Sequence, residues 1–269
     1  MHAIWKGAIS FGLVSISVRL SAATEDRSVR FHQVHRADGG RVRHRRVCSA
    51  CDSEVALTDI IQGWDAGGGE LVTLSDEDVT DLPLPSARTI DVLKFVPGDE
   101  VDPILYRRTY FLEPEAAALK PYALLREALR DAGRVAIVKI ALRRREQLAA
   151  MKVRGDVIVL HTMRWPDELR TPDFGFLDGT VEVKDAELAM AASLIDSMSA
   201  GFDPVSLTDD HRAALQAAVE ARRHGRPAAP ADTQAAATRT SDLMAALAAS
   251  VDRARERAAT LSAPADGAP

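Results

Sequence analysis

The sequence predicts a mainly β, α+β fold, a barrel or sandwich of short strands over residues 1–165 followed by helices. Up to Trp165-Pro166, short apolar runs alternate with polar or small residues and are broken by glycine- and proline-rich turns. Only residues 121–132 in that span carry a clear helical stripe. Past Pro166 the apolar spacing changes from two to between three and four. The expected organisation is a core over 1–184, a helical arm over 185–225, and a linker, terminal helix and disordered tail over 226–269.

Residues 2–21 read as two strands. Ile9, Phe11 and Leu13 hold one parity and Val14, Ile16 and Val18 the other, which predicts a bulge or bend near Gly12. Residues 27–47 read as a hairpin turning at Asp38-Gly39-Gly40. Gly67-Gly-Gly69 is a loop leading into a strand over 70–74, and Trp5 and Trp64 suit core or interface anchors. Ser75, followed by early acids, should cap one or two helical turns that Pro83 and Pro85 close. Strands are expected over 89–96 and 106–112, with residues 101–104 leading into the second. In the helix at 121–132, Tyr122, Leu125 and Leu129 form the stripe and Gly133 the stop. Strands over 134–142 and 156–164 follow, the first running into Arg143-Arg144-Arg145. Helices are expected over 185–200, capped by Asp185, and 208–224, capped by Thr208 and closed by Gly225. A third, over 240–261, carries Leu243, Leu247 and Val251 on one face.

Charge is segregated. The formal net charge is −5, yet residues 27–46 hold seven arginines against Asp38 alone, while 65–102 carries ten acids against Arg88 and Lys94. A strongly positive face is therefore compatible with an acidic chain. On an extended return strand Arg41, Arg43 and Arg45 share one face, about 6.6 Å apart. Such a row is either a solvated edge guarded by charge or a ribbon that tracks phosphates.

No nucleophile motif, P-loop or HExxH is present, and no enzymatic activity is expected. No apolar run approaches the roughly 20 residues that span a bilayer, and the N-terminus lacks a signal-peptide pattern, so a cytoplasmic location is expected. No cofactor is expected. Cys48 and Cys51 have zinc-ligand spacing but make half a structural site, which His44, His35 or the same pair from a second chain would complete; the alternative is two ordinary thiols at a turn.

Taken together, several stretches resemble the bacterial Ku proteins, the DNA-end-binding factors of non-homologous end joining. They include Ala3-Ile-Trp-Lys-Gly-Ala-Ile-Ser-Phe-Gly-Leu-Val-Ser-Ile-Ser-Val-Arg-Leu20, Phe31-His-Gln-Val-His35, Val47-Cys-Ser-Ala-Cys51, Tyr110-Phe-Leu-Glu-Pro114, Leu160-His-Thr-Met-Arg164 and Phe202-Asp-Pro204. The resemblance implies a Ku core β-barrel with an extended bridge arm that encircles DNA, followed by a helical C-terminal region. It implies a homodimeric ring that binds linear double-stranded DNA ends without reading sequence and recruits and stimulates the bacterial DNA ligase D. Carried over by position, the bridge falls on Arg41, Arg43, Arg45 and Arg46, with Arg30 and Arg36 as weaker candidates, and a second backbone contact on Arg143, Arg144 and Arg145. Leu243 and Leu247 are the candidates for docking the ligase. A zinc-dependent nucleic-acid enzyme and an interaction scaffold that does not bind DNA are the competing readings. Two departures stand out. Ser17 replaces an expected proline, and no lysine follows Lys184, with eight arginines balancing eight acids over 205–269. A basic tail that adds DNA contacts is therefore not expected.

Overall fold

The computed structural model describes residues 1–75, 77–78, 88–143 and 145–226. Strands β1 (Ala3–Phe11) and β2 (Val14–Ala22) form a hairpin in which Phe11 faces Val14 and Ile9 faces Ile16. Gly12 takes φ +58° in the two-residue turn. That turn explains the change of parity, because inward odd positions pair with inward even ones. The bend expected near Gly12 is thus a tight reversal, and the irregularity in pairing lies between Ala3 and Trp5 instead.

The chain then makes a long excursion before returning to the barrel. The excursion contains β3 (Gln62–Gly67) and β4 (Glu70–Leu74), a separate two-stranded ribbon. Trp64 on this ribbon is 66% exposed and belongs to no core, whereas Trp5 packs half-buried against the barrel interior. Ser75 caps as expected: its hydroxyl accepts from the Asp78 amide at 3.1 Å, and its own amide donates to the Asp78 carboxylate at 2.9 Å. The rest of the helix expected over 75–82 lies outside the described residues.

β5 (Thr89–Pro97) runs parallel to β1, with Ile9 opposite Ile90. β6 (Tyr106–Pro114), β7 (Arg134–Leu142), β8 (Arg145–Arg154) and β9 (Val157–Met163) complete a closed barrel in the order β1-β2-β6-β9-β8-β7-β5. Closure leaves no strand edge in the barrel itself. Residues 101–104 lead into β6 as expected, through two 3₁₀ turns, Gly98–Glu100 and Pro103–Leu105. Pro103 has no amide for a ladder, and the Asp102 carboxylate accepts from the Ile104 amide at 3.0 Å to close the turn. The sequence reading missed β8 altogether.

Ile9, Ile16, Leu20, Ile90, Leu112, Val138, Ile140, Met151, Ile158 and Leu160 fill the barrel. Helix α1 (Leu119–Ala132) adds Tyr122, Leu125 and Leu129 to the same core and ends at Gly133, whose φ is +59°. The Tyr122 hydroxyl donates to the Leu112 carbonyl at 2.8 Å and accepts from the Ile158 amide at 2.7 Å, so one buried oxygen ties the helix to β6 and β9. Arg126 and Arg130 donate to the carbonyls of Asp156 and Gly155 in the β8–β9 turn, at 2.8 and 2.6 Å. A second cluster, Val101, Val135, Ile137, Ala150 and Met163, joins β7, β8 and β9 to the 98–105 segment.

Residues Ser28–Arg30 and those from Pro172 onward group as a second unit. Within it, α2 (Asp185–Met198) and α3 (Asp210–Arg223) have no buried residue. The caps sit one residue from the expected places. Lys184 precedes α2, and the Asp209 carboxylate accepts from the Arg212 amide at 2.9 Å to cap α3. The linker, the third helix and the tail expected from 227 to 269 lie outside the described residues.

Candidate nucleic-acid interface

The arginine-rich segment does not form the expected long hairpin ladder. Its turn is held by the His35 amide donating to the Gly40 carbonyl at 2.8 Å and the Gly39 amide to the His35 carbonyl at 2.9 Å. Asp38 accepts from the Gly40 amide at 2.8 Å and lies 3.0 Å from His35. These contacts, the Gly40 amide first, hold its carboxyl below the usual range. Pairing reaches only a single bridge between Val34 and Arg41, with the Val42 amide donating to Gln33, and resumes as another single bridge between Val47 and Glu54. Residues 31–47 are exposed throughout. The physical reason is the absence of a buried face. A two-stranded ribbon gains little without one, and neighbouring guanidinium groups repel.

Arg41, Arg43, Arg45 and Arg46 therefore follow one another along an exposed, loosely tied strip rather than along one face of a regular strand. Arg45 reaches Glu54 at 3.2 Å. Among the described residues, Arg41, Arg43 and Arg46 form no ion pair with a carboxylate. Arg36 lies in the turn and Arg30 is exposed in the second unit.

The second basic group sits at one end of the barrel. Arg143 occupies the turn between β7 and β8 with φ +53°, and Arg145 opens β8 opposite Leu142. Arg144 lies outside the described residues, as do Leu243 and Leu247. Strand order brings in two arginines that the sequence reading did not single out, Arg107 and Arg108 at the start of β6. These four line a concavity of about 600 Å³ with Trp5, Tyr110, Thr162 and Trp165. Two acids share the wall. Glu146 pairs with Lys139 at 2.9 Å, and Glu168 accepts from the Trp165 amide at 2.8 Å. None of the four arginines is paired with a carboxylate among the described residues, so the cavity is cationic and suits oxyanions.

Neighbouring His161 is half-buried on β9. Its Nδ1 is 2.9 Å from the Thr109 hydroxyl, and its Nε2 is buried without a hydrogen-bond partner. Burial first, then the charges of Lys152 and Arg154, holds the imidazole below its ordinary value. The ring links β6 and β9 through its contact with Thr109.

Among the described residues no group of three His, Cys, Asp or Glu side chains is placed to hold a metal. His35 and His44 are not gathered with Cys48 and Cys51 into such a group. No helix among the described residues is long and apolar enough to cross a membrane.

Comparison with known proteins agrees with this architecture. Residues 10–190 match the Ku family model, described as the Ku70/Ku80 β-barrel domain. The chain is 54% identical over 255 residues to the non-homologous end joining protein Ku of Frankia casuarinae, covering 95% of this chain and 64% of that one. It is 49% identical over 259 residues to the non-homologous end joining protein Ku 2 of Saccharopolyspora erythraea, covering 95% and 85%. Against the non-homologous end joining protein Ku of Mycobacterium tuberculosis it is 42% identical over 266 residues, covering 96% and 97%. With a closed seven-stranded barrel, an arginine-rich excursion between β2 and β5, and these relatives, the chain belongs to the Ku family.

Proposed function

We propose that the protein binds double-stranded DNA ends as a homodimeric ring, without reading sequence, during non-homologous end joining, and there recruits and stimulates the bacterial DNA ligase D. It performs no catalysis itself and acts in the cytoplasm, where the bacterial chromosome lies. The observation that carries this reading is the strip Arg41–Arg46. It is exposed on both sides of its backbone, rich in guanidinium groups, and tied by isolated bridges. Arginine forks pair with phosphate oxygens at any base sequence, and a loosely tied strip can follow a groove wall.

Pairing of two copies is supported by the second unit. Phe174, Phe176, Val181, Leu188, Ile195 and Phe202 are all more than half exposed there, an amount of apolar surface that a second copy would cover.

The test is binding to a linear duplex and to a covalently closed relaxed circle of the same sequence across a salt series. The expected result is binding to the linear form alone, with affinity falling as salt rises. Equal binding to both forms overturns the ring, and no binding to either overturns the DNA reading.

A further inference from the structure

The Cys48–Cys51 segment is folded more tightly than the strip around it. The Asp52 amide donates to the Cys48 carbonyl at 2.8 Å, and the Cys48 amide to the Ser53 carbonyl at 2.9 Å. The Ser53 hydroxyl donates to the Cys51 carbonyl at 3.3 Å. Asp52 takes φ +57°, one of only two non-glycine residues with positive φ among those described. A left-handed residue immediately after the second cysteine turns the backbone back toward the Val47–Glu54 bridge. The Cys51 thiol lies beside that of Cys48. Both side chains reach solvent, and neither is in a disulfide.

A redox CxxC normally opens a helix, whose N-terminus lowers the thiol pKa. Here the motif lies in the turn closed by the isolated Val47–Glu54 bridge and opens no helix. Structural zinc in a thiolate site takes four ligands in a tetrahedron. Every histidine and both cysteines of the chain are among the described residues, and none of them gathers into a group of three. Among the described residues the motif therefore presents two ligands on a turn and no third.

We propose that Cys48 and Cys51 form half of a tetrahedral zinc site, which the same two cysteines of a second copy complete. An isologous pair of copies places like surface against like, so one ion on the two-fold axis meets two identical knuckles. The apolar residues flanking the motif, Val47 (52% exposed), Leu57 (68%) and Ile60 (45%), lie open in the single chain and would be covered by that contact. Zinc at this place clamps the two basic strips to each other, which their sparse backbone pairing does not do. The proposal rests on the pairing of two copies put forward above.

The experiment uses the full chain, reduced, loaded with zinc and desalted, followed by elemental analysis and sedimentation. One zinc ion per two chains is expected, with Cys51→Ser reducing the content to background. Cobalt in place of zinc should give the thiolate charge-transfer and d–d bands of a four-sulfur tetrahedron. Circular dichroism of Cys51→Ser should match the parent, because the knuckle contributes nothing to the barrel core. One zinc per chain, no zinc, or zinc retained by Cys51→Ser each overturns the shared site. A dimer without zinc overturns the site and leaves the pairing of copies standing; a monomer in the presence of zinc overturns both.

Discussion

Two side chains show how single groups hold this barrel together. The Tyr122 hydroxyl satisfies a carbonyl on β6 and an amide on β9 at once, and burial pushes its own pKa up. Tyr122→Phe keeps the ring and removes both bonds, leaving the buried Ile158 amide without that partner. The expected loss is about 1–3 kcal/mol, seen as a lower urea midpoint with an unchanged slope. An unchanged midpoint would mean that the helix is held by its apolar stripe alone. His161 makes the opposite kind of contribution. Its folded pKa lies below the ordinary value of 6.5, so the unfolded chain binds the proton more tightly. Stability linked to this ring is complete above the unfolded pKa and falls as pH drops through it toward the folded one. His161→Gln, which keeps a hydrogen-bonding group near Thr109, should flatten the fall in stability just below pH 6.5 relative to the parent. Parallel curves would show that the imidazole does not titrate with unfolding.

At the level of elements, the β7–β8 hairpin is where stability and binding pull apart. Arg143 sits at φ +53° between two strands, a conformation costly for a residue with a Cβ. Arg143→Gly should raise stability by about 0.5–1 kcal/mol while weakening duplex binding, since it also removes a guanidinium from the basic cavity. A gain in stability with unchanged DNA affinity would remove Arg143 from the interface. The same hairpin marks the limit of what sequence alone made legible. β1, β2, β5, β6, β7, β9 and α1 announce themselves through alternation, a helical stripe and glycine stops. β8 does not, because Arg-Glu-Gln-Leu-Ala-Ala-Met lacks β-branched residues and its alternation is masked by alanines buried on both faces. It is a strand because β7 and β9 both pair with it. Without β8 the strand order was not derivable, and Arg107 and Arg108 were not seen to join Arg143 and Arg145. The arginine strip errs the other way. Its alternation suggested a regular ribbon, but with no face to bury the ladder reduces to isolated bridges. The identity of the basic residues was legible, and their backbone form was not.

Across the whole molecule, a net charge of −5 and a polyanionic partner are compatible only if the arginines act where they are gathered. Two gatherings stand out among the described residues, the strip Arg41–Arg46 and the barrel-end cavity with Arg107, Arg108, Arg143 and Arg145. Each phosphate neutralised contributes a slope of about −0.9 to the dependence of log affinity on log salt. That slope therefore counts which gathering meets DNA, whatever the absolute affinity. Arg43→Glu with Arg45→Glu should weaken binding to every duplex sequence alike and flatten the slope. Arg107→Glu with Arg108→Glu should do the same if the cavity lies along the DNA path. All four positions are exposed, so thermal melting should stay near the parent's, and a loss of binding cannot be assigned to unfolding. A flattened slope for the first pair alone would assign the duplex to the strip and leave the cavity for another anion. Flattening for both would place the barrel end beside the backbone. Sequence-dependent losses for either pair would contradict recognition through phosphates, because base contacts, unlike backbone contacts, discriminate between sites.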